Sequence, residues 1–192
     1  MERELLMTGI GGQGIQLAAQ LLASAAVAEG REAMLFGSYG GMMRGGSTAA
    51  TVVVADAPIE APPTVGSAWS AMVMHQDYWG PTRDRLRDGS VVLLNTTLFT
   101  EPFEATGWIV VQVPATDIAV DVGGVATASL VLLGAYAATT GLVGLESLTE
   151  ALPRALPVYR HHSLALSAAA LAAGAAHVTP GLAPAWTPSV VP

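Results

Sequence analysis

Gly9-Ile10-Gly11-Gly12-Gln13-Gly14 decides how this chain is read. Before it, residues 4–8 form a short apolar run suited to a strand. After it, residues 15–29 are rich in Ala and Leu and end at Gly30, a usual helix stop. The spacing G-x-G-x-x-G has meaning in this setting, after a strand and before a helix. Its glycines permit a tight turn and close backbone approach. The amides at the helix N-terminus lack intrahelical acceptors and suit an anion. Residues 33–36 read as a second apolar strand. Strand, glycine turn, helix and strand predict a βαβ unit with parallel strands and a right-handed crossover.

The next segment is Ser38-Tyr39-Gly40-Gly41-Met42-Met43-Arg44-Gly45-Gly46-Ser47. Residues 37–47 hold five glycines and one cation and are predicted to be a loop. Arg44, with flexible backbone on both sides and hydroxyls at Ser38, Ser47 and Thr48, suits a phosphate or a carboxylate. The competing reading is a solvated loop whose Arg44 makes a surface ion pair. In doubly wound sheets ligands collect outside the carboxyl ends of the strands. Both glycine loops are expected to leave such ends on adjacent strands.

Farther on, residues 48–54 are β-branched and apolar. They follow the loop with no room for a crossover helix, so this strand is expected to run antiparallel to 33–36. Strands are also predicted at 71–74, 91–94 and 108–113. Helices are predicted at 77–87, 126–140, 146–156 and 163–175. The fold class is therefore α/β, a three-layer Rossmann-like domain with a mostly parallel sheet and one antiparallel strand. Residues 1–178 form this domain. Residues 179–192, with four prolines, form a Pro-rich C-terminal arm outside the packed core.

Composition narrows the function. The 192 residues are 52% hydrophobic and only 12% charged, so much of the surface is expected to meet another protein. Net charge is -7, and all eight basic residues are Arg, scattered except at 83, 85 and 87. That pattern is no footprint for nucleic acid. With no cysteine, the chain has no thiolate for an iron–sulfur cluster, a disulfide or nucleophilic catalysis. The uncharged stretch 122–145 is long enough for a bilayer, but its five glycines favour a buried helix over a membrane span. Residues 1–7 do not resemble a secretory signal, so the cytoplasm is the expected location.

The remaining candidates for chemistry are thin. A nicotinamide dinucleotide site needs an acid after the second strand, and the chain has Gly37, Ser38 and Tyr39 there. The first turn is thus a packing turn, a turn facing a partner or anion, or a dinucleotide site without its ribose reader. His75, His161, His162 and His177 show no metal-ligand spacing, and no G-x-S-x-G supports a serine nucleophile. Asp117 and Asp121 read as a solvated face. No catalytic and no metal-ligating residue is assigned. The candidate cofactor-binding or interface residues are Gly9, Gly11, Gly12, Gln13, Gly14, Ser38, Tyr39, Gly40, Arg44, Gly45 and Gly46.

Taken together, the two loops resemble the gamma subunit, or gamma domain, of the 2-oxoacid:ferredoxin (acceptor) oxidoreductases. Gly9 to Gly14 followed by Leu17-Ala18-Ala19-Gln20-Leu21-Leu22 is similar to that family's opening. Ser38-Tyr39-Gly40 with Arg44-Gly45-Gly46 resembles its second loop. Val113-Pro114-Ala115-Thr116-Asp117-Ile118-Ala119, Leu133-Gly134-Ala135 and Thr140-Gly141-Leu142-Val143 resemble its C-terminal half. The likeness covers residues 1 to about 175. Two positions depart from it: Trp69 where the family usually has Asp, and Ser129 where it usually has Asn.

The resemblance implies an accessory subunit of a thiamine diphosphate-dependent enzyme that oxidatively decarboxylates a 2-oxoacid to an acyl-CoA. Thiamine diphosphate, Mg and iron–sulfur clusters then belong to alpha, beta or delta partner subunits, and ferredoxin or another acceptor is reached through them. The gamma chain binds none of these cofactors alone, packs on the alpha subunit and lies near the co-substrate coenzyme A. The competing readings are a stand-alone Rossmann-type nucleotide-binding enzyme and a membrane-associated or regulatory binding module.

Overall fold

The computed structural model describes residues 1–39, 46–59, 65–100, 102–103 and 106–186. Six strands form one sheet: β1 (Glu2–Ile10), β2 (Glu32–Tyr39), β3 (Ser47–Ala55), β4 (Ala68–Val73), β5 (Leu86–Asn95) and β6 (Ile109–Val113). Their order is β2-β3-β1-β4-β5-β6. β3 pairs antiparallel with both β1 and β2, whereas β1–β4, β4–β5 and β5–β6 are parallel. The antiparallel strand expected after the glycine loop is therefore present. β1 and β2 do run in the same direction, as a βαβ unit requires, but they are not neighbours, because β3 inserts between them.

Alternation along the strands separates two faces. Leu5, Met7, Val52, Val54, Met72, Leu93 and Val113 point into the main core, while Leu6, Ala71, Val73, Val92 and Leu94 point into a smaller one. The main core is covered by α1 (Ile15–Ala28), α3 (Ala115–Val122), α4 (Ala128–Thr140), α5 (Leu145–Ala155) and α6 (Leu164–Ala176). The other face carries only short α2 (Trp79–Arg83) and an aromatic cluster of Trp79, Phe99, Phe103 and Trp108. The three layers are thus very unequal.

The long uncharged stretch is a buried helix. Every residue of α4 except Ala138 is buried. α4 crosses α6 so closely that Gly134 lies on the Leu171 carbonyl and Gly174 on the Val131 carbonyl, where any Cβ would overlap backbone. Among the described residues no helix is long and apolar enough to cross a membrane.

Three local expectations need correction. The helix expected at 77–87 is only α2, preceded by a 3-10 turn at Gln76–Tyr78, and Leu86 already begins β5. Residues 115–122, where no helix is predicted, form one. The proline-rich arm is packed as far as Trp186. Gly181, Ala183 and Ala185 donate their N–H groups to the carbonyls of Ala138, Thr139 and Thr140 at 2.7–3.0 Å. A buried helix end requires such donors for its last carbonyls. Trp186 adds a bond from Nε1 to the Leu142 carbonyl, 3.1 Å, and lies under the Arg31 guanidinium.

Trp69 also acquires a structural role. It sits in β4, 8% exposed, with the Arg3 guanidinium 4.6 Å above its ring and its own N–H donated to Glu4 Oε2. Glu4 pairs in turn with Arg87 at 2.9 Å. Burial lowers the Arg3 pKa, and the neighbouring Arg87 charge lowers it further.

Candidate functional site

The first glycine turn closes on itself. Gln13 donates its N–H to the Ile10 carbonyl, and its side-chain Oε1 accepts the Ile10 N–H at 2.7 Å. The glycines are required at two positions in particular. At Gly9 a Cβ would lie 2.5 Å from Gln13 Oε1 and 3.0 Å from Met74 Cβ. Gly14 has φ 81° at the N-cap of α1, and a Cβ there would meet Ser129 Oγ at 2.6 Å. The turn is therefore held down against the start of α4 by a close approach only glycine permits.

The second loop does reach the first. β1 and β3 pair as far as Ile10 opposite Ser47, and Gly11 donates its N–H to the Gly46 carbonyl at 2.8 Å. The route differs from the one expected. The loops meet because β3 returns beside β1, not because β1 and β2 are adjacent. Gln16 in α1 reinforces the junction by donating Nε2 to the Ala49 carbonyl at 2.8 Å. Gly37 leaves room for the same amide.

Two clefts flank the start of β3. One, of about 260 Å³, is lined by Gly11, Gly12, Gly14, Ile15, Gln16, Leu17, Thr48 and Arg160. The amides of Gly12, Gly14 and Ile15 have no backbone acceptor among the described residues. They lie at the positive end of α1. Arg160 brings a cation beside them from the 3-10 helix Val158–Ser163, and its neighbours Val158 and Tyr159 are 82% and 78% exposed. The other cleft, of about 200 Å³, is lined by Thr8, Ser47, Thr48, Tyr78, Thr82 and Arg85 among others. Thr82 Oγ1 bonds to both the Tyr78 carbonyl and Thr8 Oγ1.

The candidate residues divide accordingly. Gly9, Gly11, Gly12, Gln13, Gly14 and Gly46 come together in one junction. Ser38 does not join them: it lines a separate groove of about 310 Å³ with Phe36, Thr51 and Arg85. Tyr39 ends β2, its backbone opposite Thr48. Gly40, Arg44 and Gly45 lie outside the described residues. Arg160 and Arg85 were missed as site residues. Both come from elements far along the chain, and no local spacing announces them. Among the described residues no group of His, Asp or Glu is arranged to hold a metal. The open amides and the nearby Arg160 have the chemistry that suits an anion or a polar partner group, and among the described residues the junction offers no positioned nucleophile.

Comparison with known proteins matches this arrangement to one family. The sequence profile of pyruvate ferredoxin/flavodoxin oxidoreductases matches residues 4–177. A 2-oxoglutarate synthase subunit KorC from Methanocaldococcus jannaschii is 32% identical over 160 residues, 82% of this chain and 85% of the relative. A pyruvate/ketoisovalerate oxidoreductases common subunit gamma from Thermococcus kodakarensis is 32% identical over 155 residues, 78% and 84% of the two chains. Among solved structures, the gamma subunit of a keto/oxoacid ferredoxin oxidoreductase from Geobacter sulfurreducens superposes with a TM-score of 0.79. It is 27% identical, covering 92% of this chain and 95% of that one.

Proposed function

Since the chain belongs to the pyruvate ferredoxin/flavodoxin oxidoreductase family, we propose that it is the gamma subunit of a multi-subunit 2-oxoacid:acceptor oxidoreductase. One observation carries this reading. The chain matches a separate gamma subunit almost end to end, 92% of this chain against 95% of that one. Its composition fits the role: no cysteine for a cluster, and few charges to solvate a fully exposed surface.

The finer assignments rest on chemistry and on the family likeness. Thiamine diphosphate, Mg and clusters are held by alpha, beta or delta partners, which pass electrons to ferredoxin or another acceptor. The gamma chain works in the cytoplasm beside the coenzyme A approach. Its glycine junction, with Gly12, Gly14 and Arg160 and together with Arg44 of the adjoining glycine segment, receives either a coenzyme A phosphate or a carboxylate of the alpha subunit. Open amides at a helix N-terminus and an adjacent guanidinium suit both anions. The exposed Val158 and Tyr159 beside Arg160 supply an apolar rim for the partner. One relative is named as common to pyruvate and ketoisovalerate oxidoreductases, so we assign the choice of 2-oxoacid to the other subunits.

The test is reconstitution. The chain, co-expressed with the products of its neighbouring genes, is expected to co-purify with an enzyme that reduces a dye with a 2-oxoacid and coenzyme A. The isolated chain is expected to do neither. Turnover of a 2-oxoacid by the pure chain, or full activity of the partners without it, overturns the proposal.

A further inference from the structure

The outer edge of β2 is unprotected in a way natural edge strands seldom are. β2 is terminal in the sheet, and among the described residues no strand pairs with its outer side. Its pairing with β3 is unbroken over all eight residues, with no bulge to twist the edge away. From Ala33 to Tyr39 it carries no charge and no proline. Charges, prolines, bulges and short length are the usual guards against edge-to-edge pairing, and β2 has none of them beyond Glu32 at its start. Phe36 is 56% exposed beside it.

We infer that β2 is the seam of a twofold dimer of this chain, two copies joining their sheets by antiparallel β2–β2 pairing centred on Phe36. The strand is self-complementary in that register. Faces are preserved only if opposed residue numbers sum to an even number. Centring on Phe36 sets the two Phe36 rings opposite each other on the open face, a favourable cross-strand pair. It sets Leu35 opposite Gly37 and Met34 opposite Ser38, so each large side chain meets a small one. Centring on Leu35 would instead bring Glu32 into the pairing, opposite Ser38. The interface is isologous and closes on itself, so it yields a dimer and not a fibre. Because each copy carries a net charge of -7 and the paired residues 33–39 are uncharged, added salt strengthens the dimer by screening repulsion between the copies. This inference stands independently of the subunit role proposed above.

The absence of cysteine makes the test clean. Opposed Cα atoms in an antiparallel pair are about 4.5–5.5 Å apart, within the range a disulfide spans. Phe36→Cys in the full chain is therefore expected to form a covalent dimer on mild oxidation. Ser38→Cys, whose copy lies opposite Met34, is not. Wild-type chain is expected to sediment as a dimer that tightens with salt. Phe36→Lys, which opposes like charges, is expected to weaken it about tenfold or more. A wild-type monomer, a dimer that Phe36→Cys does not lock, or equal cross-linking of both cysteine variants overturns the inference. Pairing of β2 with a strand of another subunit would appear as the first of these outcomes.

Discussion

Gly11 donates its backbone N–H to the carbonyl of Gly46 at 2.8 Å, and this bond ties the first glycine turn to the end of the second glycine loop. Thirty-five positions separate them in sequence. The antiparallel return of β3 beside β1 closes that gap and creates the junction on which the binding proposal stands.

The two left-handed glycines of the turn differ in what surrounds them. Gly12 has φ 104° with nothing within 4 Å of an added Cβ, whereas Gly14 has φ 81° and Ser129 Oγ in the way. Gly12→Ala is expected to cost about 1–3 kcal/mol from backbone strain alone. Gly14→Ala should cost more, because overlap adds to the strain. Urea titration of the single variants and of Gly14→Ala with Ser129→Gly checks this, since the double variant should recover the overlap but not the strain.

Ser129 is informative by itself. Its Oγ is buried without a hydrogen-bond partner among the described residues. An unpaired buried hydroxyl is a cost, so Ser129→Ala is expected to stabilise the chain, by about 1 kcal/mol. A loss of stability of that size would show that the hydroxyl has a partner in solution.

Ser70 and Tyr136 form a buried pair with unequal consequences. Ser70 donates to the Glu4 carbonyl at 2.9 Å, which leaves the Tyr136 O–H as donor to Ser70 Oγ at 2.9 Å. Ser70→Ala strands the fully buried phenol and is expected to cost about 1–3 kcal/mol. Tyr136→Phe removes the donor and leaves Ser70 bonded to Glu4, so about 1 kcal/mol is expected. Thermal unfolding of the two variants orders the effects.

The same tyrosine sets an alkaline limit. Burial pushes the Tyr136 pKa well above its ordinary value, outweighing the Ser70 bond and the nearby Arg3 charge, both of which act to lower it. A raised folded pKa means stability that is complete below the ordinary tyrosine range and declines as pH rises through it, because only the unfolded chain ionises there. Stability is therefore expected to fall above about pH 10, and Tyr136→Phe should flatten that fall. Denaturant midpoints measured across the alkaline range decide it.

Much of this was legible in the sequence because it is written locally. The strand before Gly9, the helix after Gly14 and the apolar, glycine-marked α4 each follow from patterns within one element. What was not legible depends on distant partners. α3 starts at Ala115 without a side-chain cap from its own N-cap residue, and its first turn is held by Asn95 Oδ1 accepting the Thr116 N–H. The tail beyond residue 179 looks irregular, yet its amides satisfy the end of α4. Arg160 reaches the first turn from nearly 150 residues away. In the site, the glycines were readable because backbone geometry demands them. The cations were only partly so, because any exposed arginine looks alike until the fold places it.

On the proposed function, substitutions at Arg44 and Arg160 separate the two uses of the glycine junction in the assembled complex. A charge-assisted hydrogen bond contributes about 1.5–3 kcal/mol, so Arg44→Ala is expected to weaken the contact it makes about 10- to 150-fold. Arg160 is exposed, and exposed ion pairs contribute about 0.2–1 kcal/mol, so Arg160→Ala is expected to weaken the same contact by no more than about fivefold. Arg44→Lys should recover only part of the loss if the anion is held by two parallel bonds, which an ammonium cannot make. Two readouts tell the anions apart: the KM for coenzyme A and the affinity of the gamma chain for its partners. A rise in KM with subunit affinity unchanged assigns the junction to a coenzyme A phosphate. Loss of affinity with KM unchanged in the residual complex assigns it to a partner carboxylate. Wild-type values for both in the Arg44→Ala complex would leave the glycine turns as packing devices, with the gamma chain contributing surface and not charge.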